Sequence, residues 1–239
     1  MSEGVVFNEL VAEGITASAD KVVMLPPTSL KVRPGENVVI AGPNGAGKTT
    51  FLRILTGNML PTSGTITLDG RPIDERDRAT RRVIAPLIGP IAGYRDLTVG
   101  DHLILVDQTW GGDRAGAAER IIAVLERLDI YDFRDRYLSQ LSSGQRQLVE
   151  LSIVLLRPSA LLVLDEPEQR LDAGRRELLS DVLRERVDAK SSVVWVCHDQ
   201  ALTERTATRV EYFPQKQREK PAAQVKKQQN KKQQPKKKP

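Results

Sequence analysis

GPNGAGKTT, residues 42–50, is the stretch that decides how this chain folds. Gly42, Pro43, Asn44, Gly45, Ala46, Gly47, Lys48 and Thr49 match the pattern GxxxxGK[ST] at every fixed position, and Thr50 follows. The glycines let successive backbone N–H groups turn inward as a nest for an anion. The run NVVIA before the loop, residues 37–41, is short and β-branched and reads as a buried strand. A helix should begin within GKTT and run to about Thr56, where Gly57 stops it. Strand, loop and helix then aim the positive end of a helix at phosphates. In that setting Lys48 reaches the β- and γ-phosphates of a nucleotide, and the Thr49 hydroxyl ligates Mg2+.

A second segment, LLVLDEP at residues 161–167, is an apolar strand that ends in two acids. Ligands in open α/β sheets bind at the carboxyl ends of the strands, which is where these acids would lie. Asp165 is expected to hold Mg2+, and Glu166 to polarise an attacking water as general base. A third segment, Leu141, Ser142, Ser143, Gly144 and Gln145, precedes a helical pattern. Physically it is another anion site: a serine hydroxyl and small-residue amides at a helix N-terminus. One nucleotide does not need two such sites from one polypeptide.

Between these motifs the pattern alternates. Strands are expected over 5–10, 29–32, 65–68 and 82–85, then helices over 99–109, 114–128 and 144–156. Strand and helix alternate again over 161–164, 172–187, 192–197, 200–208 and 209–213, which predicts an α/β fold with a mostly parallel sheet and helices on both faces. The middle helices read as an insert at about 88–157. At 239 residues, 40% hydrophobic, the chain can bury one sizeable core. No run approaches the roughly 18 apolar residues of a membrane span. The start, MSEGVVFNEL, lacks the basic and apolar regions of a signal peptide. Cys197 stands alone in the run VVWVC and reads as a buried core thiol of a reducing compartment.

The formal net charge of +5 is misleading, because residues 215–239 alone carry a net +9 and leave −4 for the rest. This Lys/Gln/Pro segment has almost nothing to bury and is expected to be disordered. It suits contact with anionic lipid, at about 1 kcal/mol per basic residue near the surface. Without aromatics to stack on bases, it predicts no specific nucleic-acid partner.

The order of the three motifs resembles the ABC ATPase family, whose signature LSGGQ stands here as LSSGQ with Ser143 for the first glycine. The resemblance covers roughly residues 3–213. It implies a P-loop NTPase of ABC-ATPase type over residues 1–214, with N-terminal antiparallel β elements and an inserted helical subdomain. It implies that two nucleotide-binding domains, a homodimer or close homologues, pair head to tail. Ser142, Ser143, Gly144 and Gln145 of one copy then complete the ATP site built by Lys48 and Glu166 of the other. His198 is similar to the family's switch histidine at the γ-phosphate, and Leu171-Asp172 to its D-loop, here after Glu168-Gln169-Arg170 rather than small residues.

Two departures stand out. Where the family has a Gln that contacts Mg2+ near the end of the strand at 82–85, Leu87 stands, and no Gln occurs before Gln108. Where it stacks adenine on an aromatic, residues 17–21 are small and polar. Modest nucleotide affinity and slow unaided hydrolysis are therefore expected. The apolar run from Leu87 to Tyr94 is expected to dock a separate transmembrane permease subunit. The resemblance implies an ATP-hydrolysing transporter subunit, peripheral at the cytoplasmic face of the membrane, and by fold-level analogy one that serves an exporter. The alternative is a soluble ABC-type ATPase acting on ribosomes or nucleic acid.

Overall fold

A computed structural model describes residues 5–20 and 22–214. The basic segment at 215–239 and Lys21 lie outside the described residues. In chain order the elements are β1 (Leu10–Ala19), β2 (Val22–Val32), β3 (Asn37–Ala41), α1 (Lys48–Leu55), β4 (Ser63–Leu68), β5 (Arg71–Pro72), α2 (Arg78–Val83) and β6 (Ile84–Leu87). Then come α3 (Val99–Thr109), α4 (Ala117–Arg127), α5 (Ser143–Leu156), β7 (Leu161–Asp165), α6 (Ala173–Asp188), β8 (Ser192–Val196), α7 (Gln200–Thr206) and β9 (Arg209–Tyr212).

Two sheets form. The first is antiparallel, in the order β2-β1-β4-β5, and the second parallel, in the order β6-β7-β8-β3-β9. The strands of the parallel sheet alternate between two apolar layers, as a pleat requires. Val38, Ile40, Leu161 and Val163 join Phe51 and Leu52 of α1 and the antiparallel sheet. Val39, Leu162, Leu164 and Trp195 face the other way and join α3, α4, α5 and α6. With both faces covered, these strands read as continuous apolar runs, and that made them legible.

The strand expected over 5–10 begins instead at Leu10. The N–H groups of Asn8 and Glu9 donate to Asp69 Oδ1 at 2.7 and 2.9 Å, so these residues tie to the turn after β4 rather than to a ladder. β2 extends well beyond the expected 29–32, through Pro26 and Pro27. A strand at the sheet edge tolerates proline because one side of its backbone needs no partner. The strand expected over 82–85 lies at Ile84–Leu87, because Asp77 caps α2 by accepting from the N–H groups of Ala79 and Thr80, both at 3.2 Å. α4 starts at Ala117, three residues later than expected, after Asp113 Oδ1 closes a turn on the N–H of Gly116 at 2.7 Å.

One polar bridge crosses the parallel sheet. Asn37 is fully buried at the start of β3, and its Oδ1 accepts from Trp195 Nε1 of β8 at 2.8 Å. Its main chain closes on Thr208 at the entry to β9: Asn37 N donates to Thr208 Oγ1 at 2.8 Å. Asn37→Ala leaves the indole N–H buried without an acceptor, and should lower stability by about 1–3 kcal/mol in denaturant unfolding. Cys197 is 4% exposed, and burial pushes its thiol up to about 12. Native protein at neutral pH should resist iodoacetamide and react only when unfolded; full alkylation of the native chain contradicts this burial.

Candidate functional site

The phosphate loop starts where β3 ends. Gly42 (φ 143°) could carry no side chain, because a Cβ there would lie 2.1 Å from the carbonyl oxygen of Phe213. At Gly47 (φ 85°) a Cβ would lie 2.5 Å from the carbonyl oxygen of Met24. Pro43, Asn44 and Gly45 are exposed at the crest of the loop, Ala46 is partly buried beside them, and Ala46 N donates to Pro43 O at 3.3 Å. Lys48, 6% exposed, opens α1 and donates from Nζ to the carbonyl oxygens of Gly42 and Pro43 at 2.8 and 2.9 Å. Its ammonium is thereby held inside the curve of the loop. Thr49 and Thr50 complete the first turn of α1.

The Thr49 hydroxyl donates to Asp165 Oδ2 at 2.8 Å, which joins the loop to the end of β7. Asp165 Oδ1 is buried without a hydrogen-bond partner. Burial raises the pKa of this carboxyl, opposed by the Thr49 hydroxyl. A hydroxyl and a carboxylate with an unspent oxygen fit a hard dication such as Mg2+, which takes few protein ligands and fills its octahedron with water and phosphate oxygens. Among the described residues there is no group of three or more His, Cys, Asp or Glu that could hold a metal by itself.

Glu166 sits one residue past β7 with φ 52°, a conformation in which a glutamate is strained, and its N–H donates to Val196 O at 3.1 Å. Its Oε1 lies 2.9 Å from His198 Nε2, and its Oε2 accepts from the side-chain amide of Gln169. The backbone N–H of His198 donates to Glu168 Oε1 at 2.8 Å. Glu168 is 3% exposed, and burial raises its pKa. Sequence reading marked 168–170 as a departure, but not that Glu168 holds the His198 backbone or that Gln169 holds Glu166. Side-chain bonds made within and across a turn carry no periodic signal.

Ser142 caps α5. Its Oγ accepts from Gln145 N at 3.3 Å, while Gln145 Oε1 accepts from Ser142 N at 2.9 Å. Each side chain thus holds the other residue's backbone N–H within this chain. A Cβ on Gly144 would meet Arg170 O at 2.5 Å, so this turn packs closely on the segment after β7. Ser143 lines a cavity of about 250 Å3 together with Leu87, Asp165, Glu166 and Gln169. The fold therefore gathers Lys48, Thr49, Asp165, Glu166 and His198 at the ends of three parallel strands. Ser142–Gln145 stand at the N-terminus of their own helix, with Ser143 on the wall of the cavity that Asp165 and Glu166 also line. Leu87, at the end of β6, is buried, lines the cavity and has a side chain of hydrocarbon alone.

Comparison with known proteins bears on the family and the fold. The family model described as "ABC transporter" matches residues 25–169. The chain is 33% identical over 194 residues to an Fe(3+) ions import ATP-binding protein of Pasteurella multocida, covering 80% of this chain and 55% of that protein. It is 35% identical over 192 residues to a hemin import ATP-binding protein of Streptomyces coelicolor, covering 78% and 68%. The chain thus spans about half to two thirds of the length of these curated relatives. Among solved structures, a dimeric ATP-binding cassette in a post-hydrolysis state, bound to ADP and phosphate, superposes with a TM-score of 0.76 at 22% identity, covering 85% of this chain and 94% of that one. With its phosphate loop, its strand-end carboxylates and a family match over more than half its length, the chain belongs to the ABC transporter ATP-binding family.

Proposed function

We propose that the chain binds and hydrolyses ATP as the energy-supplying subunit of an ABC transporter, with Lys48, Glu166 and His198 at the reacting phosphate. The observation that carries this reading is the 2.8 Å contact from Thr49 to Asp165 beside the 2.9 Å contact from Glu166 to His198. These contacts support reading the loop as a phosphate cradle, Thr49 and Asp165 as a metal-ligating pair, and Glu166 with His198 as a base and its orienting partner.

The chain's own residues divide the work. The backbone from Gly42 to Thr50 cradles the phosphates, and Lys48 offsets their charge. Glu166 accepts the proton of the attacking water, and His198 fixes the carboxylate in place. Thr49 and Asp165 hold Mg2+, which when bound neutralises charge on the β- and γ-phosphate oxygens. Ser142, Ser143, Gly144 and Gln145 cap the nucleotide of a second copy or a close homologue. A dimeric cassette bound to ADP and phosphate, similar in fold, supports the pairing of two such chains.

No helix among the described residues is long and apolar enough to cross a membrane. A separate permease subunit, with this chain peripheral at its cytoplasmic face, is the partner proposed; relatives named as import ATP-binding proteins support it. Relatives named for import of iron and hemin support import rather than the exporter expected from the sequence.

Three outcomes follow. Lys48→Ala should abolish binding of a fluorescent ATP analogue. Glu166→Gln should retain ATP binding, accumulate an ATP-bound dimer on size exclusion and cut phosphate release by about 10²–10⁴-fold; turnover at the parental rate refutes its assignment as base. With no polar atom at Leu87, the isolated chain should bind Mg·ATP in the micromolar range by calorimetry, and nanomolar affinity contradicts this.

A further inference from the structure

The loop that follows Leu87 is gripped from α5 on both sides of one residue. Ile91 N donates to Glu150 Oε1 at 3.3 Å, and Ile91 O accepts from the Arg146 guanidinium at 3.2 Å. The two side chains close on each other, with Arg146 Nε 3.1 Å from the same Glu150 Oε1. The carboxylate is 9% exposed and the guanidinium 39%, so the pair is shielded from water mainly on the acidic side. A second hold lies three residues on, where Tyr94 N donates to His102 Nε2 at 2.9 Å and His102 Nδ1 is 2.7 Å from Thr98 O. Ile91 packs its side chain on the apolar layer that contains α3 and α5.

The place of the grip on α5 matters. Arg146 N donates to Ser142 O at 2.9 Å, and Glu150 lies one turn further on. The Ile91 backbone is therefore fastened within the first two turns of the helix whose first cap is Ser142. An α-helix transmits a displacement along two turns with little internal change, because each residue is bonded to the fourth before it. The side chain of Leu87, which lines the cavity, carries no polar atom.

We propose that Arg146 and Glu150 are positioning residues that fasten the loop around Ile91 to the Ser142–Gln145 end of α5. A push on that loop then moves the capping turn relative to the nucleotide of the second chain. This rests on the paired-site reading above, and it assigns the mechanical link to the α5 clasp rather than to a side chain at position 87.

The test uses the full chain carrying Glu166→Gln, so that ATP persists. In that background Glu150→Ala should speed amide exchange at Ile91 and raise the ATP concentration needed for half-dimerisation by about tenfold, a loss equivalent to ~1.4 kcal/mol. Affinity of the monomer for a fluorescent ATP analogue should stay unchanged. Glu150→Gln keeps an oxygen for Ile91 N–H and fills the same volume, so it should recover most of the pairing, which a bulk packing defect would not predict. Should Glu150→Ala fail to fold, Arg146→Met removes the other jaw and should shift half-dimerisation in the same direction. If Ile91 exchange accelerates while pairing keeps its ATP dependence, the clasp transmits nothing and the proposal is overturned. If the Glu166→Gln chain itself does not pair with ATP, the paired-site reading fails first and the proposal with it.

Discussion

The site depends on strand ends that stop level with one another. In the parallel sheet β8 lies between β3 and β7, and both Ile40 of β3 and Asp165 of β7 pair with the same residue, Val196. The phosphate loop and the acidic pair therefore leave the sheet at one height, although 116 residues separate Thr49 from Asp165 in sequence. A slip of one residue in either ladder would turn alternate side chains to the opposite apolar layer, so the cost of misregister is the cost of mispacking both layers. Burial of the strands thus sets the distance on which the chemistry relies. The same registry brings His198, two residues beyond β8, beside Glu166.

Around that constraint the site stores unfavourable local states. Glu166 is held at positive φ, and Asp165 and Glu168 are carboxyls whose burial opposes ionisation. Each is tolerated because neighbours over-determine it: Val196 O for the Glu166 N–H, the Thr49 hydroxyl for Asp165, the His198 N–H for Glu168. The buried, unpartnered Asp165 Oδ1 is the clearest sign that the arrangement is built for something bound rather than for stability alone.

Much of this was legible in the sequence where the information is local. The phosphate loop, the acidic strand end and the α5 cap are contiguous, and their glycines, acids and cap residues report their own backbone geometry. The buried strands were legible because two covered faces leave an unbroken apolar run. What stayed hidden depends on partners far along the chain. β2 was masked by Pro26 and Pro27, whose tolerance comes from its place at the sheet edge. The displaced start of β6 followed from one capping aspartate, Asp77. Glu168, Gln169 and the Arg146–Glu150 grip on Ile91 exist only once turns and helices have packed, and no spacing rule announces them.

The reciprocal cap of Ser142 and Gln145 bears on how two copies would meet. A bare helix N-terminus leaves several N–H groups in search of an acceptor, and a solitary chain could satisfy them with any passing anion. Here Gln145 N is already occupied by the chain's own serine, and Ser142 N by its own glutamine. For those two N–H groups, meeting a phosphate across an interface would be an exchange of one acceptor for another. Such an exchange yields little net free energy from ordinary anions and favours a highly charged, well-placed one. On the paired-site reading, association would then be favoured by a loaded partner.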